Sequence, residues 1–480
     1  MAEAVKNKTT IAIDPVTRIE GHLKVEVVVE NGKVVDAKLT GGMYRGFESI
    51  LKGRHPRDAA QIVQRICGVC PTAHATASSM SIDMACNTKI PANGRITRNL
   101  ILGANYLQSH LLHFYHLAGQ DFIKGPDTAP FTPRYAKPDL RLPAAVNAEG
   151  VDQYIEALEV RAVCHEMVAL FGGRAPHVHG ILAGGAAEIP SKEKLVEYAA
   201  RFKKVRKFVE EKYLPVVYLI GSQYKDLGSF GQGYRGALCV GVFPTNDAMT
   251  DFVFKPGVYA DGKDEPFDMK NVSEDVKFSW FADSTSGQAF TKAYNVLDMD
   301  KPEAYSFVKA PLYNGKPLEV GPIARMWVNN KPISPIGREL FKKYFNLDVV
   351  NFRDMGEDLA FSLLGRHVAR AEEAYLMLGV IEGFLKEVHA GEETFSTPVI
   401  PENSEGFGFT EAPRGSLMHY MQIKGGKIEN YQIISATLWN CGPRNDKGMR
   451  GALEEALIGT PVDDIESPVN VARLIRAFDP

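Results

Sequence analysis

Six cysteines in 480 residues are too few for a disulfide scaffold, and only Cys67 and Cys70 are closely spaced. No run of about 18 apolar residues occurs, which excludes an evident transmembrane helix. The segment Met1 to Thr10 has no apolar stretch of the kind a secretory signal carries. A block of one charge sign is also missing. With 55 Lys+Arg against 58 Asp+Glu the formal charge is −3, so there is no electrostatic footprint for nucleic acid or anionic lipid. Repeats and low-complexity linkers are absent too. What remains is a 45% hydrophobic, 10% aromatic chain that can bury a large core. It reads as one domain over 1–480, with a protein or small-molecule partner.

The patterning predicts an α+β fold, predominantly α: a bundle of long helices with antiparallel β hairpins near both termini. Val25–Glu30 and Lys33–Leu39 alternate around Asn31-Gly32, a pair that supplies the positive φ angles of a tight hairpin. Pro56–Arg65 reads as a helix ending in Ile66-Cys67-Gly68-Val69-Cys70-Pro71, and a second helix begins near Thr72. Amphipathic periodicity continues over 95–121, 151–171, 191–213 and 355–390. Leu417–Thr437 forms a hairpin about Lys424-Gly-Gly-Lys427, and Asn470–Ala477 is helical.

Two thiols spaced Cys-x-x-Cys on a turn can converge on one centre. Alone, the pair also fits half of a structural zinc site or a redox dithiol, although zinc needs two more ligands and no second close pair exists. The flanking residues are more specific. Arg65-Ile-Cys67-Gly-Val-Cys70-Pro-Thr-Ala-His74 resembles the N-terminal metal-binding motif of nickel-iron hydrogenase large subunits. Further resemblances follow in the family's order: Arg18-Ile-Glu20-Gly-His22 with Arg45-Gly-Phe-Glu48, Gly172-Gly-Arg174-Ala-Pro-His177, Gly365-Arg-His367-Val-Ala-Arg370, Glu411-Ala-Pro413-Arg414-Gly415 and Trp439-Asn-Cys441-Gly-Pro-Arg444. The family closes with Asp-Pro-Cys-x-x-Cys and a histidine two residues later, and this sequence ends Asp479-Pro480. In the family's selenium-containing branch the next residue is selenocysteine. The expectation is therefore a nickel-iron-selenium type chain whose reading frame continues through an in-frame UGA, and which is inactive without that tail.

The resemblance implies reversible heterolytic cleavage of dihydrogen to protons and electrons. Cys67 would be a terminal nickel ligand, and Cys70 would bridge nickel to an iron carrying carbon monoxide and cyanide. Glu20 matches the proton-transfer glutamate; its bland reading is a surface carboxylate. Arg414 would stand over the open metal position with Asp121 and Asp479 as carboxylate neighbours, and His74 would donate to a bridging thiolate. Glu48 and the Cys441 carbonyl would bind a separate magnesium, or iron or calcium. Thr437 and Pro413 would flank the iron diatomics. The Cys67–Cys70 turn, Arg414 and Pro480 are expected to converge, because two thiols do not saturate nickel.

No cysteine set for iron-sulfur clusters exists here, so the implied partner is a small subunit that carries them. That partner normally brings a twin-arginine signal, which implies co-export to the periplasm; a cytoplasmic form is the alternative. A maturation endopeptidase and metal-insertion factors are the other implied partners. The rival readings are a non-catalytic homologue related to the quinone-site subunit of respiratory complex I, which lacks the metal thiolates, and a metal-free binding or assembly subunit. Read from the residues alone, His110, His113 and His116 form a packed or interface helix face. Cys86, Cys164 and Cys239 read as buried inert thiols.

Overall fold

The computed structural model describes residues 8–480; the sequence reading of residues 1–7 lies outside them. Strands β1 (Thr9–Ile13), β2 (Leu23–Glu30) and β3 (Lys33–Gly41) form an antiparallel sheet in that order. Val25, Val27 and Val29 are fully buried while the residues between them are partly open, the period-two pattern of a sheet with one wet face. Asn31 and Gly32 take φ 52° and 72°, as the hairpin turn requires.

The helix expected over Pro56–Arg65 is instead three short turns: Pro56–Asp58, Ala59–Ile62 and Val63–Ile66. After the cysteine turn come α1 (Pro71–Ala85), α2 (Ala92–Leu111), α3 (Ala144–Gly172), α4 (Lys192–Phe208), α5 (Leu214–Gln223) and α6 (Leu363–Glu387). The single helix expected over 355–390 is broken. Gly356 at φ 75° ends one turn, and the Ser362 hydroxyl caps the start of α6 by accepting from the Gly365 N–H. The α-rich fold with antiparallel hairpins near both termini is as expected, and strands also occur between them. Short strands such as Ala237–Cys239, Gly257–Ala260, Val272–Asp275 and Ala310–Tyr313 build two further sheets in the middle of the chain. At three or four residues each, they are too short for alternation to register.

Near the C-terminus β4 (Asn403–Ala412), β5 (Gly415–Lys424) and β6 (Lys427–Ile434) pair antiparallel, with Gly425 and Gly426 at positive φ in the expected turn. Helix α1 lies directly on β4. A Cβ at Gly406 would sit 2.1 Å from the Ser81 carbonyl oxygen and one at Gly408 1.9 Å from that of Ala77, so only glycine permits the contact. The chain ends through α7 (Ala436–Cys441) and α8 (Val469–Phe478). One apolar cluster has members from Val16 to Phe478, so the first sheet, the bundle and α8 share a core. No helix among the described residues is long and apolar enough to cross a membrane.

Candidate metal centre

Local geometry makes the cysteine turn. Cys67 is extended at the end of the Val63–Ile66 turn, and Cys70 precedes α1 with Pro71 in its first turn, where the missing N–H costs nothing. Arg45 clamps the approach by donating to the Arg65 and Ile66 carbonyls at 2.9 and 2.6 Å. Both thiols are half-buried. They share a hydrogen bond, which together with the Arg414 charge holds the Cys67 thiol below its ordinary range; the same bond and burial push Cys70 well above. The pair thus gives up a first proton readily and a second with difficulty.

Cys67 and Cys70 line a cavity of about 360 Å³ with Glu20, His74, Arg414, Thr437 and Pro480. The expected convergence is therefore present. Glu20 Oε1 accepts from the Gly68 N–H at 3.4 Å, and the Glu20 N–H donates to the Pro480 carbonyl at 3.2 Å. Its side chain is open to solvent and close enough to raise both thiols electrostatically. Thr437 sits in the first turn of α7, while Pro413 is buried one residue behind Arg414.

Arg414 is buried, and its Nη2 pairs with Asp479 at 2.8 Å. Its Nε has no hydrogen-bond partner among the described residues, an unspent donor beside the cavity. Asp121 departs from its expected place beside Arg414. It takes both of its oxygens to Arg476 Nη1 at 2.9 and 2.8 Å and also pairs with Arg18. These two arginines override the burial that would raise its carboxyl and hold it low. Asp121 is one layer removed: it anchors α8, whose end presents Asp479.

Glu48 lines a second cavity of about 170 Å³ with Glu274, Asn295 and Lys309. Burial raises its carboxyl, and the amide oxygen of Asn295 has no partner among the described residues. Cys441 does not line that cavity; its buried thiol is pushed up to about 12 by burial and by Glu454. The helix-face histidines are packed as expected: His110 meets Glu373 at 3.0 Å, His113 donates to the Arg476 carbonyl at 2.6 Å and His116 to that of Tyr154 at 3.3 Å. Cys164 and Cys239 are buried, but Cys86 is half-buried beside Asp83 and Arg57, so its apolar reading is corrected.

Several supporting residues carried no assigned role in the sequence. Arg370 donates to the Ala477 carbonyl at 3.3 Å, and Arg366 lies 3.9 Å above the Phe478 ring while binding both Glu319 oxygens at 2.7 Å. Both arginines belong to the Gly365-Arg-His367-Val-Ala-Arg370 motif, and a charged residue inside an amphipathic helix is the signal that marks them.

The family model described as nickel-dependent hydrogenase matches residues 45–128 and 120–480, and a HoxL-like model matches residues 10–40. The chain is 58% identical to the periplasmic NiFeSe hydrogenase large subunit of Desulfomicrobium baculatum, over 99% of this chain and 94% of that one. It is 34% identical to the hydrogenase-2 large chain of Escherichia coli K12, over 98% and 95%. The solved Ni-Fe-Se hydrogenase of D. vulgaris Hildenborough in its as-isolated oxidized state matches with a TM-score of 0.98 at 68% identity, covering 99% of this chain and 98% of that one. Ordered motifs, paired thiols and whole-length similarity agree: the chain belongs to the nickel-dependent hydrogenase family.

Proposed function

We propose that this chain is the large subunit of a periplasmic nickel-iron-selenium hydrogenase, folded as one domain and cleaving dihydrogen reversibly into protons and electrons. The carrying observation is that Cys67, Cys70, Arg414 and Glu20, spread over almost 400 residues, line one cavity. The donor set fits the metal: two adjacent sulfurs, one with a lowered thiol, suit nickel. When bound, nickel and an iron carrying carbon monoxide and cyanide supply the Lewis acidity and redox capacity that split H–H.

Cys67 and Cys70 would hold the metals, Cys67 on nickel and Cys70 shared with iron. Arg414 presents a fixed cation to negative charge that develops in the cavity, and Asp479 keeps its guanidinium from turning away. Glu20 takes the released proton at its carboxylate and, being open to solvent, passes it out. Thr437 and Pro413 would flank the iron's diatomic ligands. Glu48 would serve a separate magnesium, with its carboxylate and the unpartnered Asn295 amide oxygen as hard-cation donors; Cys441 lies outside the cavity that Glu48 lines. An iron-sulfur small subunit takes the electrons, and a maturation endopeptidase and metal-insertion factors prepare the site. The test is metal analysis and hydrogen oxidation by the purified two-subunit complex. Nickel near one per complex, lost in Cys67→Ser along with activity, is the expected result; full nickel in Cys67→Ser would refute the ligand assignment.

A further inference from the structure

Four buried polar side chains run from the cavity in single file. His74 Nδ1 lies 3.1 Å from His419 Nε2, His419 Nδ1 lies 2.8 Å from the Tyr431 hydroxyl, and that hydroxyl lies 2.8 Å from Ser78 Oγ. None of the four is more than 1% exposed, so their partners are each other. The file ties α1, which carries His74 and Ser78, to β5 through His419 and to β6 through Tyr431. Burial holds both rings neutral at ordinary pH, His74 down to about 3.

A neutral imidazole has one N–H and one bare nitrogen, and a phenol has one hydrogen. Only two arrangements therefore complete the file. In the first, Tyr431 donates to Ser78, its oxygen accepts from His419 Nδ1, and the bare His419 Nε2 accepts from His74 Nδ1. His74 Nε2 is then bare. In the second, Ser78 donates to Tyr431, Tyr431 to His419 Nδ1, and His419 Nε2 to His74 Nδ1. His74 Nε2 then carries the hydrogen. Reversing one bond reverses all three.

The Ser81 hydroxyl donates to the Ser78 carbonyl at 2.8 Å, so Ser78 is the hydroxyl that meets the phenol. One observation selects the second arrangement. His74 lines the cavity, and with Nδ1 engaged by His419, Nε2 is the nitrogen left for the site. A metal-bound thiolate accepts hydrogen bonds and repels a lone pair.

We propose that Ser78, Tyr431 and His419 are positioning residues that fix the tautomer of His74, so that it offers an N–H to the sulfur site. This rests on the metal-centre reading above. A donor to a bridging sulfur withdraws electron density from the iron, and the file keeps that donor in place.

Neutron diffraction from the deuterated, metal-loaded two-subunit complex tests it directly. Deuterons are expected on Nε2 of both His74 and His419, with the Tyr431 deuteron toward His419; a deuteron on His74 Nδ1 overturns the proposal. In Tyr431→Phe, with nickel content measured first, the iron carbonyl stretching band is expected to move to lower wavenumber. An unmoved band in a nickel-replete variant overturns the proposal. If Tyr431→Phe does not fold, Ser78→Ala in the same infrared assay takes its place under the same criterion. A parent complex without nickel would refute the metal reading instead, while the deuteron positions would still decide the tautomer.

Discussion

Arg325 lies beneath the loop that carries Arg414, and removing its charge is expected to cost the fold about 3–5 kcal/mol. It is fully buried. Nε and Nη2 donate to the two Glu373 oxygens at 2.5 and 2.7 Å, and Nη1 donates to Glu411 at 2.9 Å. The same guanidinium donates to the carbonyls of Ala412 at 2.9 Å and Pro413 at 2.7 Å, the two residues before Arg414. Burial works to raise the Glu373 carboxyl, yet Arg325 brings it from 4.5 down to about 2. At 1.36 kcal/mol per pH unit, that gap is worth about 3 kcal/mol, close to the lower end of the cost of breaking a buried pair. The folded-state value is depressed, so the contribution is complete above about pH 4.5 and is lost as pH falls through about 2. Arg325→Met strands two buried carboxylates and two carbonyls. Urea unfolding of the two-subunit complex at neutral pH, followed by tryptophan fluorescence, reads the loss, and metal analysis reads the displaced loop. Combining Arg325→Met with Glu373→Leu and Glu411→Gln is expected to recover most of the stability. A loss below about 1 kcal/mol in the single variant would refute an ionised cluster.

Three further outcomes follow from the same geometry. Glu20→Gln keeps the metals but loses most hydrogen/deuterium exchange, since the amide takes no proton; exchange near the parent rate would remove Glu20 from the proton path. Arg414→Lys retains a charge but not the planar fork, and is expected to slow hydrogen oxidation about 100-fold at unchanged nickel content, as measured by turnover and metal analysis. Burial raises the Glu454 carboxyl from 4.5 to about 7. The stability it contributes is therefore present below about pH 4.5 and lost as pH rises through about 7, and Glu454→Gln should flatten that part of a melting-temperature profile.

The parts legible in the sequence share one property: their signal is local. Asn31-Gly32 and Gly425-Gly426 announce hairpins because those positions take positive φ. Cys67 and Cys70 announce a centre because the two sulfurs lie three residues apart. The remaining features are set by distant contacts. β4 is specified as much by α1 lying against Gly406 and Gly408 as by its own alternation. The break before α6 depends on Gly356 and Ser362, which read as ordinary interruptions in a long amphipathic run. His419 and Tyr431 are 345 and 353 residues from their partners on α1, and nothing near them in sequence marks them as a pair.

The displacement of Asp121 from its expected role explains how such a site is held. Arg414 and Asp479 face the cavity, but Asp479 sits at φ 60° just past α8 and is correctly aimed only if that helix is. Its aim comes from a second layer. Asp121 binds Arg476, Arg370 binds the Ala477 carbonyl, and Arg366 covers Phe478. On the opposite side Arg325 does the same for Pro413, next to Arg414. Each of these cations is buried and each has a carboxylate or carbonyl partner, the condition under which a buried charge is tolerated. Breaking any one leaves its partner uncompensated, so the second layer has few alternative arrangements. The Arg414–Asp479 pair therefore inherits its geometry from the Gly119–Asp121 turn, α6 and α8 rather than from its own neighbours in the chain, and substitutions at Asp121 should disturb Asp479 before they disturb Glu20.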